Sequence, residues 1–279
     1  MWLAWDGDLA VGFRTLLRWE FEGANGELRR AVRAVDTATL PSHQGRGVFR
    51  SLTLAAVGVL SADGVDCVFN TPNDQSRPGY LKMGWVEVGR VPVAVRPTSL
   101  GAVRRMASAR VPAAKWSLAT RAGRPAADLL GASDALEALL AAIPRPVALR
   151  TRRTSAFLWW RYAAGPVRYR AVTLDDDLTK GLALFRLRDR GGAVEATVAD
   201  LLVPRGSDRS AVRDLLGRIV DEARPDYLIA TAGRPADALA RWMLPVPSLG
   251  PILTWRALAD DRVPTLSDWA FSLGDIELF

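Results

Sequence analysis

Apolar and polar positions alternate almost from the first residue, and the places where the alternation breaks define the elements. Residues 2–5 and 9–21 (LAVGFRTLLRWEF) read as the two strands of a hairpin turning over residues 6–8. Residues 29–40 (RRAVRAVDTATL), rich in Val and Thr, read as a third strand. The period then changes: over 47–61, Phe49, Leu52, Ala56 and Val59 or Leu60 share one face at helical spacing. A short apolar strand follows at 66–70 (DCVFN). Next comes a short helix at 75–83 (QSRPGYLKM), where Pro78 is tolerated because it falls in the first turn. Residues 85–97 (WVEVGRVPVAVRP) close the series as a strand pair bent at Pro92.

Residues 98–150 are Ala-rich and helical, broken by RAGRPAAD and closed by AAIPRPVA, which predicts a helical connector. Beyond it the order of elements repeats. A leading helix at 154–165 precedes strands at 167–174, 181–189 and 193–204, a helix at 210–223, a strand at 226–232, a helix at 235–243 and a last strand at 251–258. The pattern predicts an α/β (α+β) chain of two diverged units, each a mixed, mostly antiparallel sheet flanked by helices. The expected divisions are a first domain over 1–97, a connector over 98–150 and a second domain over 151–279.

Composition agrees with two buried cores: 279 residues, 49% hydrophobic and 24% charged. The net charge of +7 changes the picture little. It is carried almost wholly by arginine, only Lys82, Lys115 and Lys180 being lysine, and the arginines form no block or stripe, so no nucleic-acid partner is expected. Cys67 and His43 are the only residues of their types, which argues against a disulfide, a zinc site, any metal cofactor or a histidine-based triad. There is no secretory leader and no run of about 18 apolar residues, so the expectation is a cytoplasmic protein without a membrane partner.

Candidate chemistry lies in the turn after the third strand, LPSHQGRGVFR. A strand ending at Leu40, a turn through Gly45 and Gly47 and a helix from about Val48 would point several unpaired N–H groups at one spot, which suits an anion. A Walker loop would need Lys then Ser or Thr after Gly47, and a dinucleotide fingerprint would need a third glycine; neither is present. What remains, Gln44-Gly45-Arg46-Gly47-Val48-Phe49, resembles the Q/R-x-x-G-x-G/A motif of the GCN5-related N-acetyltransferases. Downstream, NDQSRPGYLKMGW is similar to the second signature of that family, with Asn73, Ser76, Tyr80, Gly84 and Trp85 at matching spacings. The resemblance covers 2–97 closely and the second half only by element order. Phe49 replaces the last small residue of the turn motif, which is expected to shift the helix or cover the adenine side. The strand and two helices that normally precede the hairpin are missing, so the first unit is expected to be short at its N-terminus, either because translation starts upstream or because another segment fills the gap.

The resemblance implies a direct-attack N-acetyltransferase, with acetyl-CoA as co-substrate and an unidentified primary amine as acceptor. It places the pantetheine arm on Ala38, Thr39 and Leu40, and the pyrophosphate on the N–H groups of Gly45, Arg46, Gly47 and Val48 beside Phe49. Gln44 and Arg46 would add side-chain donors, Asn73 would bind the cofactor arm, and Tyr80 would protonate the departing thiolate. The second unit is expected to be degenerate and cofactor-free, because its turn at 203–212 (VPRGSDRSAV) holds one glycine and Asp208 would repel a phosphate. A general base is less evident. Asp36 faces opposite to Thr37 and Thr39, and His43 reads as a solvent-facing turn residue. The tail, with Trp269, Phe271, Ile276 and Phe279, is expected to dock on the second unit's sheet; only if it reached the first unit could Asp275, Glu277 or the Phe279 carboxylate serve as base. Two other functions fit the layout: a non-catalytic CoA-binding scaffold, and a tandem transferase that takes aminoacyl groups from tRNA.

Overall fold

The computed structural model describes residues 1–145, 147–207, 210–232, 243–259 and 263–276. In chain order the first elements are β1 (Trp2–Asp6), β2 (Leu9–Glu22), β3 (Leu28–Thr39), α1 (Val48–Ala62), β4 (Cys67–Asn70), α2 (Arg77–Lys82), β5 (Val86–Arg90) and β6 (Val93–Pro97). Then come α3 (Leu100–Ser108), β7 (Arg124–Pro125), α4 (Ala126–Leu130), α5 (Asp134–Ala142), β8 (Arg150–Thr151) and α6 (Ser155–Tyr162). The rest are β9 (Arg170–Leu174), β10 (Asp177–Arg190), β11 (Ala193–Leu202), α7 (Ser210–Ala223), β12 (Tyr227–Thr231), β13 (Leu244–Pro245), β14 (Ile252–Ala257) and α8 (Leu273–Ile276). The helix expected at 235–243 falls almost entirely outside the described residues.

Two sheets result. The first has the order β1-β2-β3-β4-β14-β5, with β8 also paired to β2; the second has the order β13-β6-β12-β11-β10-β9-β7. Both run from a hairpin through a third strand to a short parallel pairing, and then to a strand supplied by the other half of the chain. In the first sheet β14 lies between β4 and β5, both antiparallel to it, and in the second β6 lies between β12 and β13 in the same way.

These pairings revise the expected divisions. The first unit gathers Met1–Val91, β8 and Pro251–Trp269; the second gathers Pro92–Arg145, Arg152–Gly250 and the tail from Ala270. The last predicted strand exists, but its ladder belongs to the first sheet, and β6 belongs to the second. Residues 98–145 are not a connector. In the second unit α5 buries Leu136 and Leu139, and α4 buries Leu130, in one core with Leu158 and Tyr162 of α6. The extended stretch before β7 runs beside β10, with the Ala114 and Leu118 N–H groups donating to the Asp189 and Leu187 carbonyls.

Strand alternation separates the cores. In the first unit Val32 and Val68 face α1 and α2, packing with Val57, Leu60, Tyr80, Met83 and Trp85. On the opposite face Phe21, Phe69 and Trp269 meet with ring centroids 4.8–5.0 Å apart, and Trp255 stacks edge-on to Trp269 at 5.2 Å. In the second unit Leu182 and Leu184 face the α4–α6 core, while Ala183 and Phe185 face the core that holds Leu215, Leu216 and Ile219 of α7. Each fully buried large apolar side chain contributes roughly 1.5–3 kcal/mol.

Candidate active site

The site begins with an irregularity in β3. Its register against β2 slips between Arg14↔Thr37 and Leu16↔Ala34, so β3 carries one extra residue there. Such a bulge bends and twists a strand. The parallel pairing with β4 stops at Arg33↔Phe69, just before the bulge, and β3 runs on to Thr39 without a strand partner on that side among the described residues. The Leu40 N–H donates to the Val11 carbonyl, so the Gly12↔Thr39 pair is a wide one. In that phase Ala38 spends its backbone groups on β2, whereas Thr37 and Thr39 turn theirs to the open edge. Of the three residues expected to meet an extended ligand through the backbone, Thr39 is so oriented; Ala38 and Leu40 are not, and Thr37 is the additional one.

The chain then passes through a single 3-10 turn at Pro41–His43 and reaches α1 through Gly45 and Gly47, with φ of +75° and +81°. Both values favour glycine, and a Cβ at either position would meet nothing within 4 Å. Gly47 is the N-cap of α1, without a side-chain cap and without an acid in the first turn. The first helical bond is Ser51 N–H to the Gly47 carbonyl, and among the described residues the N–H groups from Gly45 to Arg50 meet no acceptor. The start of a 15-residue helix is therefore bare and positive in potential, facing open space. Gln44 bends back, its Nε2 donating to the Thr39 carbonyl at 3.4 Å, and Arg46 is exposed. Gly12 lets α1 come this close, since a Cβ there would lie 2.7 Å from Val48 Cγ1.

Below the turn sits Tyr80, 3% exposed on α2. Its ring meets Phe49 at 5.5 Å and Trp85 at 5.2 Å, both edge-on. Phe49 thus points inward onto Tyr80, contrary to the expected cover of an adenine, and Gly79 makes room for it, a Cβ there lying 3.2 Å from Phe49 Cε1. The Tyr80 hydroxyl accepts a hydrogen bond of 2.5 Å from Arg14 Nη2, and Arg14 is wholly buried. Burial raises the phenol above its ordinary range, and the guanidinium opposes that rise. The Asn73 Oδ1, expected to bind the cofactor arm, accepts from the Ser76 N–H and Oγ, both at 2.9 Å, and closes the turn that leads into α2.

Sequence reasoning passed over Arg14, although its signal is plain afterwards: a cation two residues from Gly12 on the inward face of an apolar strand. His43 also differs from expectation. Its side chain is 12% exposed and joins Asp6 Oδ2 at 3.0 Å and Ser42 Oγ at 2.9 Å. That hydrogen bond, and then Arg46, hold the Asp6 carboxyl below its ordinary value. Asp6, His43 and Arg46 border a cleft of about 420 Å³ formed with Trp5, Val11 and Leu52. Asp36 is exposed on β3. Asp275 belongs to the second unit, buried against Arg153 at 3.1 Å, whereas Trp269, expected to dock with it on the second unit, packs on Phe21 and Trp255 of the first. Glu277, Phe279 and Asp208 lie outside the described residues. Among the described residues no group of three His, Cys, Asp or Glu side chains is placed to hold a metal, and no helix is long and apolar enough to cross a membrane.

No protein-family model matches the sequence. No curated protein matches it either. Solved structures do match. A GCN5-related N-acetyltransferase from Anabaena variabilis is similar over 92% of this chain and 62% of its own, with 12% identity and a TM-score of 0.59. One from Kribbella flavida is similar over 91% and 58%, with 16% identity and a TM-score of 0.60. Eis1 from Mycobacterium abscessus is similar over 92% and 63%, with 20% identity and a TM-score of 0.54. The chain spans about three fifths of the length of these structures. Its two mostly antiparallel sheets, flanked by helices, have the fold of the GCN5-related N-acetyltransferases.

Proposed function

We propose that the protein is an acyl-CoA-dependent N-acyltransferase that moves an acetyl group from acetyl-CoA to a primary amine by direct attack. The observation that carries this reading is the row of six N–H groups from Gly45 to Arg50 without an acceptor, at the end of a strand whose outer edge is open. A pyrophosphate would accept from those groups, and Arg46 and Arg50 would add positive charge. The pantetheine amides would pair with the open backbone edge at Thr37 and Thr39, where the Thr39 carbonyl also accepts from Gln44 Nε2, and the thioester would then lie toward Tyr80. The amine nitrogen bonds to the carbonyl carbon, the carbon–sulfur pair leaves on sulfur, and the Tyr80 proton quenches the thiolate.

Titration with acetyl-CoA in a calorimeter, followed by an amine panel, tests the reading. Tyr80→Phe keeps the ring and is expected to bind acetyl-CoA as the wild type does while turning over about a hundredfold more slowly. Equal turnover would remove Tyr80 from the chemistry. The burial of the Tyr80 hydroxyl favours a second reading, a protein that binds CoA without turnover; wild-type protein that binds acetyl-CoA and acylates no amine would establish it.

One acetyl-CoA per chain is the expected stoichiometry, and two would contradict it. In the second unit α8 packs on β11, the counterpart of β3, with Gly274 so close to the Ala199 carbonyl that a Cβ would lie 3.0 Å away. Arg153, Asp200 and Asp275 close that contact. This supports a second unit that shapes the protein without holding co-substrate.

A further inference from the structure

We propose that Arg14 is the positioning residue of Tyr80: it aims the hydroxyl proton away from itself and balances the negative charge left when that proton departs. The inference rests on the reading of Tyr80 as proton donor. Arg14 is fully buried, yet among the described residues no carboxylate pairs with it. Its Nη2 donates to Tyr80, its Nη1 lies 3.5 Å from the Val35 carbonyl on the bulged part of β3, and its Nε has no partner. The guanidinium carbon stands 5.3 Å from the Tyr80 ring centre and 5.6 Å from that of Phe49. A buried cation held only by a hydroxyl, a long carbonyl contact and two rings is incompletely compensated, so it favours an anion beside it.

The direction of the hydrogen bond matters as much as the charge. A guanidinium can only donate, so the phenol oxygen must accept, and its own O–H is left without an acceptor among the described residues. That proton is free for an incoming sulfur. As the carbon–sulfur bond breaks, the proton passes to sulfur to give the thiol, and the phenolate remains against Arg14. The proton shed by the new amide nitrogen returns to the phenolate, so charge and atoms balance.

The groups around the phenol leave Arg14 as the charge that acts on it. Phe49 faces it from α1 and Trp85 from just before β5. Arg256 of β14 lies over the Trp85 ring at 5.1 Å and donates to the Met83 carbonyl, and makes no hydrogen bond to Tyr80 among the described residues.

The test replaces Tyr80 with 3,5-difluorotyrosine, which ionises at a pH the fold tolerates, and follows the phenol by fluorine NMR. Arg14→Gln keeps a neutral donor and is expected to lower the ionisation constant about tenfold or more, whereas Arg14→Lys keeps it near the wild-type value. In the labelled protein with Arg14 intact, one slowly exchanging arginine side-chain resonance should shift at the same midpoint as the phenol. That measurement decides the matter if Arg14→Gln does not fold. An unchanged ionisation constant in Arg14→Gln, or no arginine signal that follows the phenol, overturns the proposal. Its failure is separate from failure of the donor reading, which Tyr80→Phe turnover decides alone.

Discussion

Gly47→Asp is expected to weaken acetyl-CoA binding by about a hundredfold or more while the protein stays folded. The position is the left-handed N-cap of α1, and a Cβ built there projects into open space. A carboxylate at this point would occupy the positive potential of the helix start and repel a pyrophosphate approaching the same N–H groups. Backbone strain contributes separately, because a φ of +81° is costly for a side-chain-bearing residue by about 1 kcal/mol. Gly47→Ala carries that strain without the charge, so it is expected to lose much less affinity. Calorimetric dissociation constants for the two variants, with unfolding midpoints beside them, separate the contributions. Equal affinity in Gly47→Asp and wild type would take the turn out of the binding site.

Removing Arg153 should have the largest effect on stability. Its side chain is 7% exposed, donating to Asp200 at 2.8 Å and to Asp275 at 3.1 Å, and Asp200 also accepts from the Tyr162 hydroxyl. Arg153→Ala would take its guanidinium from two buried carboxylates, a loss of about 3–5 kcal/mol by analogy with other broken buried pairs. Burial already raises the Asp200 carboxyl above its ordinary value, with Arg153 opposing the rise and Asp275 adding to it. The folded state thus holds that proton more readily than the unfolded state, and ionisation of Asp200 penalises folding as pH rises through its folded value. Without Arg153 the rise is steeper. The variant's deficit in urea denaturation is therefore expected to be largest near neutral pH and to shrink as pH falls toward the carboxylate range; a deficit that grows on acidification would refute this account.

Most elements were legible in the sequence because period and punctuation are local. The hairpin, the Val- and Thr-rich third strand and the helix after Gly47 fall within two residues of the expected bounds. The turn glycines were legible for the same reason, since backbone demand is written in the residue itself. What escaped was non-local. Asn73 sits at the expected spacing from Tyr80, but its Oδ1 is engaged by Ser76, a competition that spacing does not reveal. Arg14 and Tyr80 are 66 residues apart, and nothing near either announces the other. His43 read as a turn residue because its partner, Asp6, lies on a strand 37 residues earlier. The stretch that holds α5 read as a connector, because an apolar helix face carries no label saying which sheet it will cover.

The exchanged strands also set an order of events during synthesis. Asn70 and Thr254 are 184 residues apart, so the outer edge of β4 stays unpaired until β14 has left the ribosome. The same delay holds for β6, which emerges early and meets its neighbour β12 only when Val95 can pair with Ile229. Contacts of such long separation slow folding, and open strand edges invite pairing with other chains in the interval. Emergence of the segment with Trp255 and Trp269 is thus the step that lets the first sheet close, and chaperone demand and aggregation should concentrate in the time before it.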